Sequence, residues 1–589
     1  MKRLFRGFRL ATACVLWLGA GTALAQYARL HDFGAGTDGT LPYGAVTLRG
    51  SSLHGMTSAG GTSGRGILFS IGSDGSGYSV IRSFEGIATD GAKPMGAVTV
   101  AWSPLQGTTF YGMTAEGGAS GYGTIFKRHV PAVVFGSTTY TLLHSFAGGA
   151  GDGRAPYGDL LLSGSTLYGV TLYGGTSNKG VIFKIGTDGT GFSVLHSFTG
   201  GTDDGSSPSF NAKLALSGST LYGVCPSAGA NGHGTIFSIQ TDGTGYAVIH
   251  DFGGAADGSQ PYGGVVVADG RLYGMTAAGG ADNKGVIFES HLELRLVGGI
   301  FKFVRVVNVM HHFWGGAFDG ANPYGMLTLS GSTLYGATLM GGAHGKGVAF
   351  RINTDGSDFT LLRTFGSAGD GAYPEGGMSL GGATFYGVTR EGGVSDEGTV
   401  YALTVPQAAT PTITPNGGSS LGPVNVTLAC ATPGATIRYT LDGSTPGTSS
   451  DAYTVPIDVS SSLTLKAVGI ANGYVASLVA QADFSVGAWD AGYTGIGGGW
   501  RRLAWFGDYV PMGGDGWVWH NKHGFFFVPA NATPQSIWLY SQDMGWLWTS
   551  STVYPFLYRQ NDGAWLWYSG STGPRWFRNM TNNTWEQRP

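Results

Sequence analysis

The stretch "LYGVTLYGGTSNKGVIFKIGTDGTGFSVLHSF", Leu167–Phe198, mixes turn formers with aliphatic and aromatic residues at regular intervals. Alone it resembles loop. Divided at its Gly, Asp and Ser clusters, it becomes short strands: "TLYGVT", "GVIFKI" and "FSVLHSF", with "YGDLLLS" just upstream. We label these four, in chain order, a ("YGDLLLS"), b, c and d. "TDGTG" between c and d is a hairpin turn, since Asp-Gly supplies the positive-φ positions that other residues resist. Nothing in this region sustains a helical period.

The same unit recurs. Seven d strands end in an aromatic, Phe33, Phe84, Phe146, Phe198, Phe252, Phe313 and Phe365. Each is followed by an Asp-Gly-x-x-Pro turn, with Asp38, Asp90, Asp152, Asp204, Asp257, Asp319 and Asp370. Then come Leu/Phe-Tyr-Gly-x-Thr and a Gly-Gly loop running into Gly-x-Ile/Val-Phe. A period of a little over fifty residues with four antiparallel strands per copy predicts an all-β fold, a seven-bladed β-propeller over 27–405. Copy one opens with a lone d strand, "YARLHDF", and copy seven stops after strand c, "GTVYALTV". Pairing Tyr27–Phe33 with Gly398–Val405 would complete the last blade, so the propeller is expected to be closed by the N-terminal strand. The "DGxxPYG", "LYGxT" and "GGxxxxGxIF" anchors resemble the GloVer (Gloeo/Verruco) tandem repeat of exported bacterial proteins, which implies an extracytoplasmic repeat region and no shared catalytic residue.

The N-terminus carries Lys2, Arg3, Arg6 and Arg9, an apolar run and Ala23-Leu24-Ala25, which reads as a signal peptide over 1–25. The expected protein is secreted, free or associated with the cell surface, with no transmembrane segment. No cysteine follows the cleavage point directly, which argues against lipid anchoring. Removing this segment moves the formal net charge from −3 to about −7, and so sparse and acidic a surface argues against nucleic acid and anionic membranes as partners. Cys225 and Cys430 fall in different domains, so stability is expected from core burial without disulfides.

A Pro/Thr/Ala-rich linker, 406–414, precedes alternating strands and turn clusters over 415–486 that predict an Ig-like β-sandwich. "IRYTLDGSTP", Ile437–Pro446, with the later "LTLKA", resembles the fibronectin-III-like domain at the C-terminus of chitobiases and β-hexosaminidases, an accessory module. The last part, 487–589, is expected to be a small Trp-rich β-hairpin domain, distantly similar to cell-wall-binding repeats, because twelve of the fifteen tryptophans lie from Trp489 onward.

The repeated Asp residues could ring a channel as cation ligands, but Asp before Gly and near Pro is an Asx-turn signature, so no metal is expected. Five d strands carry His31, His144, His196, His250 and His311, with Arg82 and Arg363 in the other two. Strand d is outermost, so these side chains are read as separate edge-strand polar residues. The b–c loops are short and Gly-rich, and none is expected to gather reactive groups, so the protein is read as no enzyme and without cofactors. The competing class is a carbohydrate-active enzyme with its site on the propeller face. The lengthened c–d hairpin of copy five, 289–310, has an apolar stripe, Leu292, Leu294 and Leu296, expected to pack within the molecule.

In the tail, Trp517 with Trp519, Trp546 with Trp548, and Trp565 with Trp567 share faces, while Val518, Leu547 and Leu566 occupy the opposite one. Two arrangements fit. The tryptophans are the core and the aliphatics contact a neighbouring domain, which the sequence favours; or the indoles are open stacking platforms for cell-envelope or extracellular polysaccharide. The six tryptophans are therefore the candidate ligand-binding residues. The whole reads as a monomeric, exported, non-enzymatic binding or adhesion scaffold.

Overall fold

The computed structural model describes residues 25–589 except 35, 133–136, 209–211, 298–299, 421–422, 487–488, 491–492, 513–515, 530–531, 533–535 and 572–573. Residues 1–24 of the expected signal peptide over 1–25, and the copy-five turn at Gly298-Gly299, lie outside them. Every regular element among the described residues is a strand, and the chain divides into two compact units, Met1–Pro406 and Gln407–Pro589.

The first unit contains seven four-stranded antiparallel sheets. In copy three the strands are Leu161–Ser163, Thr166–Thr171, Val181–Gly186 and Ser193–Ser197, in spatial order a-b-c-d. Two sequence anchors explain each other: Gly169 of "LYG" sits opposite Phe183 of "GVIF". A Cβ on Gly169 would lie 2.6 Å from Phe183 Cζ, so only glycine lets the ring lie across the neighbouring strand. The same partners recur from Gly55 with Phe69 to Gly387 with Tyr401.

Stacking between sheets is also repeated. The buried d-strand aromatic meets the c-strand aromatic of the next sheet: edge-on for Phe146 with Phe183 and Phe313 with Phe350, each at 5.5 Å between centroids, and tilted for Phe84 with Phe126 at 5.3 Å. Phe33 on Phe69, at 5.3 Å, is one more such contact. The strand that leads into Phe33, Gln26–Asp32, runs antiparallel to Thr399–Thr404, with Gln26 opposite Thr404 and Asp32 opposite Thr399.

Above these contacts lies a backbone feature without a sequence signature. The residue before each turn proline (Leu41, Lys93, Ala155, Ser207, Gln260, Asn322 and Tyr373) has a φ of 53° to 59°, although none is glycine. Left-handed backbone is unfavourable for such residues and more so before proline. It is held by hydrogen bonding across sheets: the Ala155 N–H donates to the Tyr122 carbonyl at 2.8 Å, Lys93 to Arg65 at 2.9 Å, and Leu41 to Glu397 at 3.1 Å.

Two expectations are corrected here. The copy-five hairpin, Val286–Val297 with Ile300–His312, does not bury its stripe: Leu294 is 53% exposed and Phe303, directly opposite, 71%. Its two strands pair with each other well beyond the ends of the sheet's other members. The linker 406–414 ends in a strand, Thr412–Thr414, which pairs with Val424–Ala429 and buries Ile413 in the sandwich core.

That sandwich, in the second unit, has a three-stranded and a five-stranded sheet around Val426, Leu428, Ile437, Leu465 and Phe484. The tail is one eleven-stranded meander from Thr494–Gly497 to Thr584–Arg588. One face of the meander buries a single core, including Leu503, Tyr509, Phe526, Leu539, Leu547, Leu566 and Phe577. The sheet curls on itself, since Arg575 Nη1 donates to the His523 carbonyl at 3.0 Å from strands far apart in the meander.

Candidate functional site

In the tail the favoured arrangement is reversed. Val518, Leu547 and Leu566 are the core, and the tryptophans alternating with them face outward. Trp517 is 38% exposed, Trp519 39% and Trp565 38%, while Trp546, Trp548 and Trp567 are half-buried by their neighbours. The physical reason is volume: a curled sheet leaves a narrow interior that branched aliphatics and a few aromatics fill, and the indoles fit on its outer circumference.

Register lines these outer residues into cross-strand rows. Trp538 is opposite Trp548, Trp548 opposite Tyr558, and Tyr558 opposite Trp565. Trp519 is opposite Phe525, with ring centroids 4.6 Å apart and planes at 75°. Trp548 and Trp565 also meet edge-on, at 6.0 Å, and Trp548 Nε1–H donates to Ser536 Oγ at 3.0 Å. Each ring is thereby held by its neighbour's edge and keeps part of a face open.

At Trp519 and Phe525 this face adjoins a cavity of about 470 Å³ also lined by Lys522, Gln542, Asp543 and Arg575. Arg575 is fixed by Asp543 at 2.5 Å and the Pro589 carbonyl at 2.8 Å. Beneath it, His520 Nε2–H donates to the Phe506 carbonyl at 2.8 Å, and its Nδ1 accepts the Lys522 and His523 amides, each at 3.1 Å. Only the neutral ring satisfies all three; burial, together with nearby Lys522, lowers its pKa to about 4. Aromatic faces beside fixed polar groups are suited to holding a polyhydroxylated ring.

In the repeat unit the candidate residues are arranged otherwise than expected. The d-strand histidines are not isolated edge residues. Each pairs with its own turn aspartate: His31 with Asp38 at 3.2 Å, His144 with Asp152 at 3.0 Å, His196 with Asp204 at 3.1 Å, His250 with Asp257 at 2.8 Å and His311 with Asp319 at 3.1 Å. Arg82–Asp90, 2.9 Å, and Arg363–Asp370, 2.6 Å, are the remaining two. The same carboxylates cap the turn, as Asp90 accepts the Glu85 and Gly91 amides. An aromatic from the next d strand covers most pairs: Tyr246 stacks on His196 at 3.6 Å and donates its hydroxyl to Asp204 at 2.6 Å. Burial opposes ionisation of Asp204, but hydrogen bonds from His196, Tyr246 and the Thr199 amide outweigh it and hold the pKa at about 2.

One loop does gather charged groups, contrary to expectation. In copy seven, Arg390 of the b–c loop lies 3.4 Å from Glu375 and 2.9 Å from Glu391. Glu375 stands where four of the other six copies have the tyrosine of "PYG", and burial raises its pKa against the pull of Arg390. The signal was present as a substitution in a repeat, Glu for Tyr at one position.

The Gloeobacter/Verrucomicrobia repeat family matches over residues 110–295 and 295–428, and the chitobiase/beta-hexosaminidase C-terminal domain over 415–481. No curated protein matches the chain. Among solved structures, a fungal alcohol oxidase of the AA5 family in complex with copper is 11% identical, with a TM-score of 0.42, covering 78% of this chain and 100% of that one. Polysaccharide lyase Uly1 is 12% identical, with a TM-score of 0.34, covering 63% and 92%. Likeness at this level assigns no activity. The motif anchors and the repeat match, which spans over half of the sequence, together establish that this chain belongs to the Gloeobacter/Verrucomicrobia repeat family.

Proposed function

We propose that the protein is an exported, monomeric binding scaffold. Its repeat unit is a seven-bladed β-propeller closed by the N-terminal strand, its sandwich is a spacer, and its tail attaches to cell-envelope or extracellular polysaccharide. The observation that carries the attachment reading is the outward aromatic face opposite a filled aliphatic core, with Trp517, Trp519 and Trp565 open to solvent. An exposed patch of this kind marks an interaction surface, and indole faces suit the C–H faces of sugar rings. Incubating the full chain with a panel of insoluble polysaccharides and peptidoglycan tests it. The scaffold reading expects retention on at least one matrix without release of reducing ends; no retention on any contradicts it.

A second reading, a carbohydrate-active enzyme with its site on the propeller face, is favoured by the Glu375–Arg390 grouping. A carboxyl raised by burial beside a guanidinium is suited to general acid–base work. Turnover in the same panel, abolished by Glu375→Gln, would establish it and displace the scaffold reading.

A further inference from the structure

The residue just before the first buried aliphatic on the approach to strand a lines a shared cavity in six of the seven copies. Aligned on the turn proline and the strand's first buried aliphatic, these residues are Ala45, Ala97, Asp159, Lys213, Gly264, Met326 and Gly377. Five are small or apolar, and the two charged ones are adjacent copies. A cavity of about 140 Å³ is lined from six of the seven copies, among them Ala45, Ala97, Asp159, Lys213, Met326 and Gly377. A second, of about 350 Å³, extends beside strand a of copies two and three and is again lined by Asp159 and Lys213.

Neither charge is neutralised by direct contact. The Asp159 carboxylate accepts one hydrogen bond, from the Ala97 amide at 2.6 Å, which leaves most of its acceptor capacity unused. Among the described residues the Lys213 side chain makes no hydrogen bond and no ion pair within 4.0 Å, and it acts on Asp159 only through space. Both side chains are half-buried; burial opposes ionisation of Asp159, and the Lys213 charge acts against that through space. The two charged groups stay more than 4.0 Å apart on the wall of a shared cavity, in a set whose other members carry no charge.

We infer that the shared cavity is a binding site for a small zwitterion, whose ammonium group meets Asp159 and whose carboxylate meets Lys213. Neither a simple anion nor a simple cation would satisfy both walls. This site is independent of the tail and of any polysaccharide attachment.

Calorimetric titration of the full chain with glycine, β-alanine, 4-aminobutyrate and 6-aminohexanoate, each to about 10 mM, reads both the binding and the spacing of the two charges. One member or more is expected to bind at one site per chain. Butyrate and butylamine, each carrying one end only, are expected to bind roughly tenfold or more weakly than 4-aminobutyrate or the best homologue. Asp159→Asn and Lys213→Met should each weaken binding by a similar factor. The single-ended ligands report on the wild-type protein even where a variant fails to fold. Absence of binding by all four amino acids, equal binding of a single-ended ligand, or full binding by the folded variants would overturn the assignment.

Discussion

The guanidinium carbon of Arg363 lies 4.1 Å from the ring centre of Tyr27, so the first strand of the array covers an ion pair near its last. Tyr140 covers Arg82 in the same way, at 3.5 Å, in the middle of the array. The phenol of Tyr27 is pushed up by burial and by the adjacent Asp370 carboxylate, as that of Tyr140 is by burial and Asp90. The first strand therefore makes the contacts that any internal d strand makes.

That equivalence predicts equal costs. Tyr27 and Tyr140 are both half-buried, so Tyr27→Ala and Tyr140→Ala should each destabilise the repeat unit by about 2–3 kcal/mol, below the range of about 3–5 kcal/mol for a fully buried aromatic. Chemical denaturation of the two variants checks this. A Tyr27 variant as stable as wild type would mean that the first strand is dispensable and the ring does not close through it.

The turn aspartates supply a second expectation. Asp90→Ala leaves two amides without an acceptor and Arg82 without its counter-charge, so a loss of about 3–5 kcal/mol is expected. Asp90→Asn, which retains an acceptor oxygen, should lose less. If the two variants melted alike, the carboxylate's part in the turn would be purely steric.

Much of this was legible from residues alone, because each anchor has a strong local cause. Asp-Gly turns, the strand ends at Phe33 and its six counterparts, and the period all announce short antiparallel strands. The His–Asp and Arg–Asp pairs were not, since they join residues seven or eight apart across a strand end, where no periodicity speaks. The tail's inside and outside were undecidable for a different reason. Both faces of "GWLWTS" are apolar, and only the curl of the sheet selects Leu547 for the interior over Trp546 and Trp548. Asp159 and Lys213 were hidden because the cavity they line draws its wall from six separate copies.

His520 makes the tail sensitive to acid. Its folded pKa, about 4, lies below the unfolded value near 6.5, so between these limits the unfolded chain binds the extra proton. Stability is full above pH 6.5 and falls toward pH 4, by about 3 kcal/mol at most for this one group. Urea melts followed by tryptophan fluorescence at pH 7 and pH 4.5 should show the loss, and His520→Gln should reduce it, leaving the part due to the neighbouring buried His523, which burial likewise holds well below its ordinary value. A variant with unchanged pH dependence would place the sensitivity elsewhere.

The long hairpin of copy five should be expendable for folding. Leu292, Leu294, Leu296, Phe301 and Phe303 are all exposed, so replacing residues 292–305 with a short Asp-Gly turn should change stability by under about 1 kcal/mol. A larger loss would show that the stripe is covered in solution.

The central claim, that the outward tryptophans are a binding surface and not a core, is tested most directly by comparing Trp519→Ala with Leu547→Ala for both unfolding and retention on a polysaccharide or peptidoglycan matrix. Trp519→Ala is predicted to stay within about 1 kcal/mol of wild type and to lose retention, while Leu547→Ala loses about 2–5 kcal/mol. A Trp519→Ala protein that is retained as well as wild type, with Trp517→Ala and Trp565→Ala behaving alike, would contradict the account.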